Sequence, residues 1–158
     1  MADAEMSPSV LLARLLVEAS LDNIAGKAQG KFPVDGKPLS EDERARLNRT
    51  GAGTTLMYLA SGSAVFFDLQ GSATSIWFSN ADSSGAAAIV DAALKRAYPK
   101  TTIKADGVHP TDPLSYQRSY DVPLGPDRVA VVDVGYPAPG QPMNGFLVRV
   151  LAYARKAN

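Results

Sequence analysis

A single apolar stripe of helical spacing separates two blocks of strand-like sequence, and this arrangement most constrains the fold. Between residues 82 and 98, apolar side chains recur every three or four positions, at Ala86, Ile89, Val90, Ala93, Leu94 and Ala97. This spacing is typical of a helix that buries one face. Because the sequence on both sides is strand-like, we expect this central helix to pack on a β-sheet.

Alternating apolar and polar residues predict three strands before the central helix and four after it. The first block covers residues 54–60, 64–69 and 74–79, joined by glycine-containing links of hairpin length. The second block covers residues 101–106, 115–122, 128–136 and 146–153. The order of elements predicts an α+β fold with a mainly antiparallel sheet of six to seven strands and the central helix on one face.

The N-terminal part of the chain predicts a second helix and a long connection. Ser7 and Pro8 are typical of a helix start, and an apolar stripe follows at Leu11, Leu12, Leu15, Leu16 and Ala19. This leucine stripe suits packing on the sheet or on a second copy of the chain. Residues 22–53 lack a sustained pattern apart from a capping box at Ser40, and we expect a partly flexible connection within a single domain of residues 1–158.

Composition excludes several classes of function. The chain has no cysteine, which excludes disulfides, zinc–thiolate sites and thiol nucleophiles. It has 16 basic and 16 acidic residues, unlike a nucleic-acid-binding protein with a basic surface. No apolar run is long enough to span a bilayer, and the apolar run at residues 10–17 contains Arg14, unlike a signal peptide. We therefore predict a soluble, cytoplasmic protein with neither nucleic acid nor membrane as a partner.

Three residues are candidates for acid/base catalysis. His109 is the only histidine, and its imidazole is the side chain that ordinarily titrates near neutrality. Asp68 and Asp133 lie in apolar strands, where a buried carboxylate needs a partner or a raised pKa. The same aspartates are also typical of the solvated face of a sheet, so both interpretations stay open.

Other chemistry is not favoured by the sequence. Asp106, His109 and Asp112 are evenly spaced, but their glycine and proline neighbours indicate turns, and we predict no metal site. The chain contains no intact phosphate loop, nucleophile elbow or dinucleotide-binding motif in the required context, so we also predict no cofactor.

Two sets of aromatic and basic residues are candidates for ligand binding. Tyr116, Arg118 and Tyr120 share one face of a predicted strand, and Arg149 and Tyr153 share one face of the last strand. Aromatic rings and guanidinium groups placed together can bind a planar or anionic ligand. They can equally serve as ordinary cross-strand pairs.

Three functional hypotheses follow. The first is a non-catalytic binding or interaction protein that self-associates through the leucine stripe or an open sheet edge, with an unknown protein or small molecule as partner. The alternative is a small-molecule-binding protein or an enzyme of the hydrolase or isomerase type. Its pocket would lie between the sheet and the central helix, with His109 or a strand aspartate as acid/base. A third is a partner protein of the secretion-chaperone or regulatory kind.

Overall fold

A computed structural model of the chain describes residues 7–26, 36–47, 53–60, 63–70, 73–79, 85–138 and 145–154, with the side chains of residues 63, 70, 79, 153 and 154 excepted. The helices are α1 (Pro8–Arg14), which continues as a π-helical segment (Leu15–Leu21) and α2 (Asp22–Ile24), then α3 (Glu41–Arg46) and α4 (Ala86–Ala97). The strands are β1 (Lys37–Pro38), β2 (Thr54–Ala60), β3 (Ser63–Gln70), β4 (Ala73–Ser79), β5 (Thr102–Val108), β6 (Ser115–Pro123), β7 (Arg128–Pro137) and β8 (Gly145–Ala154).

All eight strands form one antiparallel sheet in the order β1-β2-β3-β4-β8-β7-β6-β5. The strands before and after α4 form two separate series of hairpins, and β4 and β8 join the two series at the middle of the sheet. The predicted α+β fold with an antiparallel sheet is confirmed. The strand count is slightly higher than predicted because β1, a two-residue strand inside the long connection, adds to the sheet at β2.

The segment formed by α1 and the π-helix packs with α4 on one face of the sheet, which we call the helix face. In α1, the Ser7 hydroxyl accepts a hydrogen bond from the backbone N–H of Val10, and Pro8 begins the helix as predicted. In α4, Val90 and Leu94 are fully buried against the sheet, as the central stripe predicts. The helix begins at Ala86, and residues 82–84, where the predicted helical segment starts, lie outside the described part of the chain.

The leucine stripe of α1 and the π-helical segment is buried inside the chain itself. Leu11 is 1 % exposed, and Leu12, Leu15 and Leu16 are 0 % exposed. They belong to one apolar cluster that also contains residues of α4 and of the sheet. Of the two packing partners that the sequence allows, the stripe therefore contacts its own sheet and α4.

A buried pair of hydroxyl groups joins the π-helical segment to the sheet. The Ser20 hydroxyl donates to the carbonyl oxygen of Leu15, five residues earlier, at 2.9 Å. The Thr74 hydroxyl on β4 donates to the Ser20 hydroxyl, also at 2.9 Å. Because both side chains are buried, these hydrogen bonds satisfy groups that water cannot reach.

The long connection at residues 22–53 contains α3, the short helix that the capping box at Ser40 indicates, and also α2 and β1, which the sequence does not indicate. The predicted capping box is confirmed, because Ser40 and Glu43 each accept a hydrogen bond from the other's backbone N–H at 3.2 Å. Residues 27–35 and 48–52 of this connection lie outside the described residues, and its partial flexibility stays a prediction. None of the helices that the structure describes has the length and apolar character needed to cross a bilayer.

Candidate functional site

The two sets of ligand-binding candidates lie on opposite faces of the sheet. Tyr116, Arg118 and Tyr120 of β6 alternate with Gln117 and Ser119, and the tyrosines and arginine face the helices. The hydrogen bonds from Arg118 and Tyr120 to Asp91 of α4 fix this orientation. Arg149 of β8 lies on the other side, which we call the far face, because its neighbours Val148 and Val150 are buried in the core. The sequence therefore identifies two separate surfaces.

Arg118 is held by carboxylates on the helix face. Its guanidinium donates to Asp91 of α4 at 2.8 Å and to Asp106 of β5 at 3.0 Å. The hydroxyl of Tyr120 donates to the other carboxylate oxygen of Asp91. Burial, followed by this hydrogen bond to Asp91, raises the pKa of Tyr120 well above its ordinary value. These contacts fasten α4 to the strands β5 and β6 and leave Arg118 and Tyr120 engaged in the fold.

Tyr116 packs edge-on against another tyrosine at the same end of the helix face. Its ring centroid lies 6.0 Å from that of Tyr136, with the planes at 83°. Burial, with Asp106 nearby, raises the pKa of Tyr136. Of the predicted set on β6, all three side chains thus make intramolecular contacts.

An open pocket of about 540 Å³ lies at one end of the far face. Residues of four central strands and of the loop between β5 and β6 line it: Trp77, His109, Asp112, Ser115, Gln117, Asp133, Gly135, Tyr136, Pro137, Gly145, Phe146, Leu147 and Arg149. The sequence predicts a pocket between the sheet and the central helix. Among the described residues that space contains the buried apolar cluster, and the pocket lies on the opposite face.

Four cross-strand neighbours form the floor of the far-face pocket. Trp77 on β4 is in register with Leu147 on β8, which is in register with Gly135 on β7, and Gly135 with Gln117 on β6. Because neighbouring strands are about 4.8 Å apart, this row extends about 14 Å across the sheet. Gly135 has no side chain, and a Cβ added there would meet no atom within 4 Å. The glycine thus leaves open space at the middle of the floor.

An aromatic wall closes one side of the pocket. The ring of Trp77 is tilted against Phe66 on β3, with the centroids 6.0 Å apart. Phe66 is 8 % exposed, whereas Trp77 is 36 % exposed. Phe66 therefore packs against the indole ring of Trp77, and the exposed part of that ring presents apolar surface to the pocket.

His109 lies at the rim, in the loop between β5 and β6. The backbone N–H of His109 donates to the carbonyl oxygen of Ser115 at 2.9 Å, which closes the loop. The Nδ1 atom of the ring lies 3.1 Å from the backbone nitrogen of Thr111. Because a backbone N–H can only donate, Nδ1 accepts, and the neutral imidazole carries its proton on Nε2.

Asp112 stabilises the same loop. Its carboxylate accepts hydrogen bonds from the Leu114 backbone N–H at 3.0 Å and from the Ser115 hydroxyl at 2.7 Å. These bonds, that from Ser115 first, lower the pKa of Asp112 below its ordinary value. Asp112 thus has the turn role that its sequence context indicates. Within the described residues, no group of three histidine, aspartate or glutamate side chains is placed to hold a metal ion.

Asp133 and Arg149 stand next to each other across β7 and β8, on the far face. The carboxylate of Asp133 accepts a hydrogen bond from the Ser119 hydroxyl on β6. Arg149 is exposed, and among the described residues its guanidinium forms no hydrogen bond or ion pair. On its other side Arg149 is in register with Ser75 of β4. The guanidinium therefore remains available to a ligand.

Asp68 lies on the far face but lines a second depression of about 280 Å³. Its carboxylate accepts a hydrogen bond from Thr55 at 2.5 Å, and the Thr55 hydroxyl accepts one from Arg44 of α3 at 3.1 Å. Arg149 lines both depressions, so they meet at this side chain. The structure thus brings His109, Asp133 and Arg149 to one pocket and places Asp68 in its neighbour.

The remaining candidate, Tyr153, pairs through its backbone with Val129, but its side chain lies outside the described residues.

The sequence analysis did not identify three residues that line the pocket, Trp77, Gln117 and Gly135. Two signals were present. Trp77 alternates with the core residues on either side of it, which predicts the opposite face, and a glycine within a valine-rich strand often marks a place where another group approaches the backbone.

No protein-family model, curated protein or solved structure matches this chain, so its function has to be inferred from its own geometry.

Proposed function

We propose that the chain is a non-catalytic binding protein that holds a small organic molecule in the far-face pocket. The observation that carries the proposal is the pocket itself, a space of about 540 Å³ with an aromatic wall, an open floor at Gly135 and a few polar groups around it. Small-molecule sites in proteins are typically about 300 to 1,000 Å³ in volume and combine apolar lining with a few placed polar groups.

The lining suits a flat apolar molecule. Trp77 offers one ring face or edge, and Leu147 and Gly135 continue the same row as a low floor. Aromatic rings pack well on such surfaces, with ring centroids about 4.5 to 7 Å apart. A flat ligand on this floor would therefore contact Trp77 directly.

Trp77 also makes the proposal testable, because it is the only tryptophan in the chain and it lines the pocket. A suitable probe is N-phenylnaphthylamine, an uncharged aromatic fluorophore that accepts excitation energy from tryptophan. We expect saturable quenching of Trp77 emission at one probe per chain, with matching growth of probe emission.

Gly135→Val is the discriminating variant. Gly135 lies in a strand without a positive φ, and the new side chain meets open space, so the fold should tolerate it. The added methyl groups occupy the pocket floor, and we expect probe affinity to fall at least tenfold. Ala105→Val is the matched control, because Ala105 is exposed on β5 and lines neither depression. Unsaturable quenching, or equal affinity in Gly135→Val and the unchanged protein, would refute the proposal.

An acid/base enzyme is the second candidate, because His109 and Asp133 line the same pocket. The His109 imidazole accepts a hydrogen bond from Thr111, and the Asp133 carboxylate accepts one from Ser119. Each of the two groups is therefore bonded to a different residue. Catalysis would then proceed through a ligand or a water placed between them. Hydrolysis of nitrophenyl esters by the unchanged protein, lost in His109→Ala at unchanged melting temperature, would support an enzyme over a binding protein.

Self-association stays a prediction, and the buried leucine stripe removes one of its two proposed surfaces. The other is the sheet edge at β5, where every residue is exposed, including Ile103 at 56 % and Val108 at 58 %. A register shift lies between Ile103 and Ala105, around Lys104, and both a bulge and an edge lysine oppose strand addition. Sedimentation of the unchanged chain and of Ile103→Lys at high concentration tests this edge: a dimer lost in the variant supports it, and a monomer in both contradicts it.

A further inference from the structure

The polar groups that line the far-face pocket differ in how far contacts within the chain already engage them. Asp112 accepts from Leu114 and Ser115, and Asp133 accepts from Ser119. Nδ1 of His109 is likewise engaged by Thr111. Donors at the same pocket include the guanidinium of Arg149, the Nε2–H of neutral His109 and the second N–H of the Gln117 amide, whose first contacts Ser119 at 3.4 Å. Of these three, only the guanidinium carries a full positive charge.

We infer that the ligand of this pocket is a planar aromatic molecule that carries an anionic group, such as a carboxylate or a sulfonate, which Arg149 binds while the rings lie along Trp77. This inference rests on the proposed function and adds to it the chemical class of the ligand. Two observations lead to it. The Arg149 guanidinium has no intramolecular partner among the described residues, and it lies beside the exposed indole ring of Trp77.

Arginine is well suited to this role. Its guanidinium is planar, stays charged at all physiological pH values, and presents two parallel N–H groups to a carboxylate or sulfonate. Asp133 is the neighbouring carboxylate and offsets part of the positive charge, but its hydrogen bond is to Ser119. The formal charge of the whole chain is zero, so attraction of an anion depends on this local group.

The size of the lining is consistent with two fused rings and a substituent. Arg149 and Trp77 lie on the neighbouring strands β8 and β4, with Arg149 in register with Ser75, two residues before Trp77. Two residues along a strand cover about 7 Å. A naphthalene-sized ring system along Trp77 therefore places a ring substituent within reach of the guanidinium.

The test compares two probes that share the same rings. Anilinonaphthalene sulfonate carries a sulfonate, and N-phenylnaphthylamine does not. Affinities of both are measured from Trp77 quenching in the unchanged full chain, in Arg149→Gln and in Arg96→Gln. Arg96 is exposed on α4, outside the pocket lining, so the control variant removes the same charge from the helix side of the molecule.

We expect Arg149→Gln to weaken anilinonaphthalene sulfonate about tenfold and to change the affinity of N-phenylnaphthylamine less than twofold. Arg96→Gln should change neither. Affinity for the sulfonate should also fall with rising salt in the unchanged protein and less so in Arg149→Gln.

Three results contradict the inference, and they differ in what else they overturn. If both probes bind and Arg149→Gln weakens neither, the anionic ligand class is wrong while the pocket still binds small molecules. If neither probe quenches Trp77 saturably, the proposed function fails and the ligand class fails with it. A larger loss for the uncharged probe than for the sulfonate would also contradict the assignment of Arg149.

Discussion

Arg118 and Arg149 are both sequence candidates for ligand binding, and the structure predicts opposite consequences of replacing them. Arg118 joins α4 to β5 and β6 through Asp91 and Asp106 on the helix face. Arg149 lies on the far face, in the pocket. We expect Arg118→Met to destabilise the fold and to leave ligand binding in the pocket unchanged. We expect Arg149→Met to weaken ligand binding and to leave the stability of the fold unchanged.

The magnitude for Arg118→Met follows from the exposure of its partners. The Arg118 and Asp91 side chains are 22 % and 26 % exposed, while Asp106 is 46 % exposed. A hydrogen bond between charged groups contributes about 1.5 to 3 kcal/mol, whereas an exposed ion pair contributes about 0 to 1 kcal/mol. We therefore assign about 1.5 kcal/mol to the bond with Asp91 and about 0.5 kcal/mol to that with Asp106.

One opposing effect reduces this sum. The Nε atom of Arg118 is buried and has no hydrogen-bond partner, and methionine removes that unsatisfied donor. Relief of this group offsets up to about 1 kcal/mol, so the expected loss is about 1 to 2 kcal/mol of unfolding free energy.

Denaturation in urea, followed by Trp77 emission and by circular dichroism, measures the unfolding free energy of both variants. A double-mutant cycle with Asp91→Asn isolates the pairwise energy, which we expect to be about 1.5 kcal/mol. The reasoning is refuted if Arg118→Met changes stability by less than about 0.5 kcal/mol, the usual range for surface substitutions. It is equally refuted if Arg118→Met weakens the sulfonate probe as strongly as Arg149→Met does.

Two further predictions concern the N-terminal helix and the tyrosine at the end of α4. Leu12→Ala should lower the free energy of unfolding by about 2 to 5 kcal/mol because Leu12 is fully buried. The control Val10→Ala, at a position 48 % exposed, should lower it by less than about 0.5 kcal/mol. Similar urea midpoints for the two variants would contradict the packing described. Burial, followed by a hydrogen bond to Asp22, raises the pKa of Tyr98 in the folded protein. Above a pH of about 10, the tyrosine of the unfolded chain therefore loses its proton before that of the folded chain does. The free energy of unfolding then falls by at most about 1.4 kcal/mol per pH unit. Tyr98→Phe should therefore show a shallower loss of stability between pH 9 and 11 in urea titrations, and an unchanged slope would contradict the assignment.

Local sequence patterns account for most of the fold. The apolar stripe of α4, the Ser7 and Pro8 start of α1 and the Ser40 capping box each depend on contacts within a few residues. The start of α1 and the capping box are present in the structure, and Ala86, Val90 and Leu94 of the stripe are buried. Alternation also places Tyr116, Arg118 and Tyr120 on one face of β6, as in the structure, because successive side chains in a strand point to opposite sides. The β1 strand was missed because two residues carry no detectable period.

Only part of the candidate site could be predicted from the sequence. His109, Asp133 and Arg149 were each identified as candidates from residue type, and they line one pocket. That they belong together could not be predicted, because β4, β7 and β8 meet through sheet pairing across long stretches of chain. The sequence likewise grouped Arg118 with possible ligand-binding residues, since no local pattern shows that Asp91, 27 residues away, contacts it.

The sequence by itself determined which segments form helices and strands and which side of each is apolar, because these properties depend on neighbours within one or two turns of chain. The tertiary structure decided that the leucine stripe packs within its own chain, that this N-terminal segment and α4 cover one face, and that a glycine, a tryptophan and an arginine meet on the other. Those outcomes depend on strand order and register, which bring Trp77, Gly135 and Arg149 together only after the two series of hairpins join at β4 and β8.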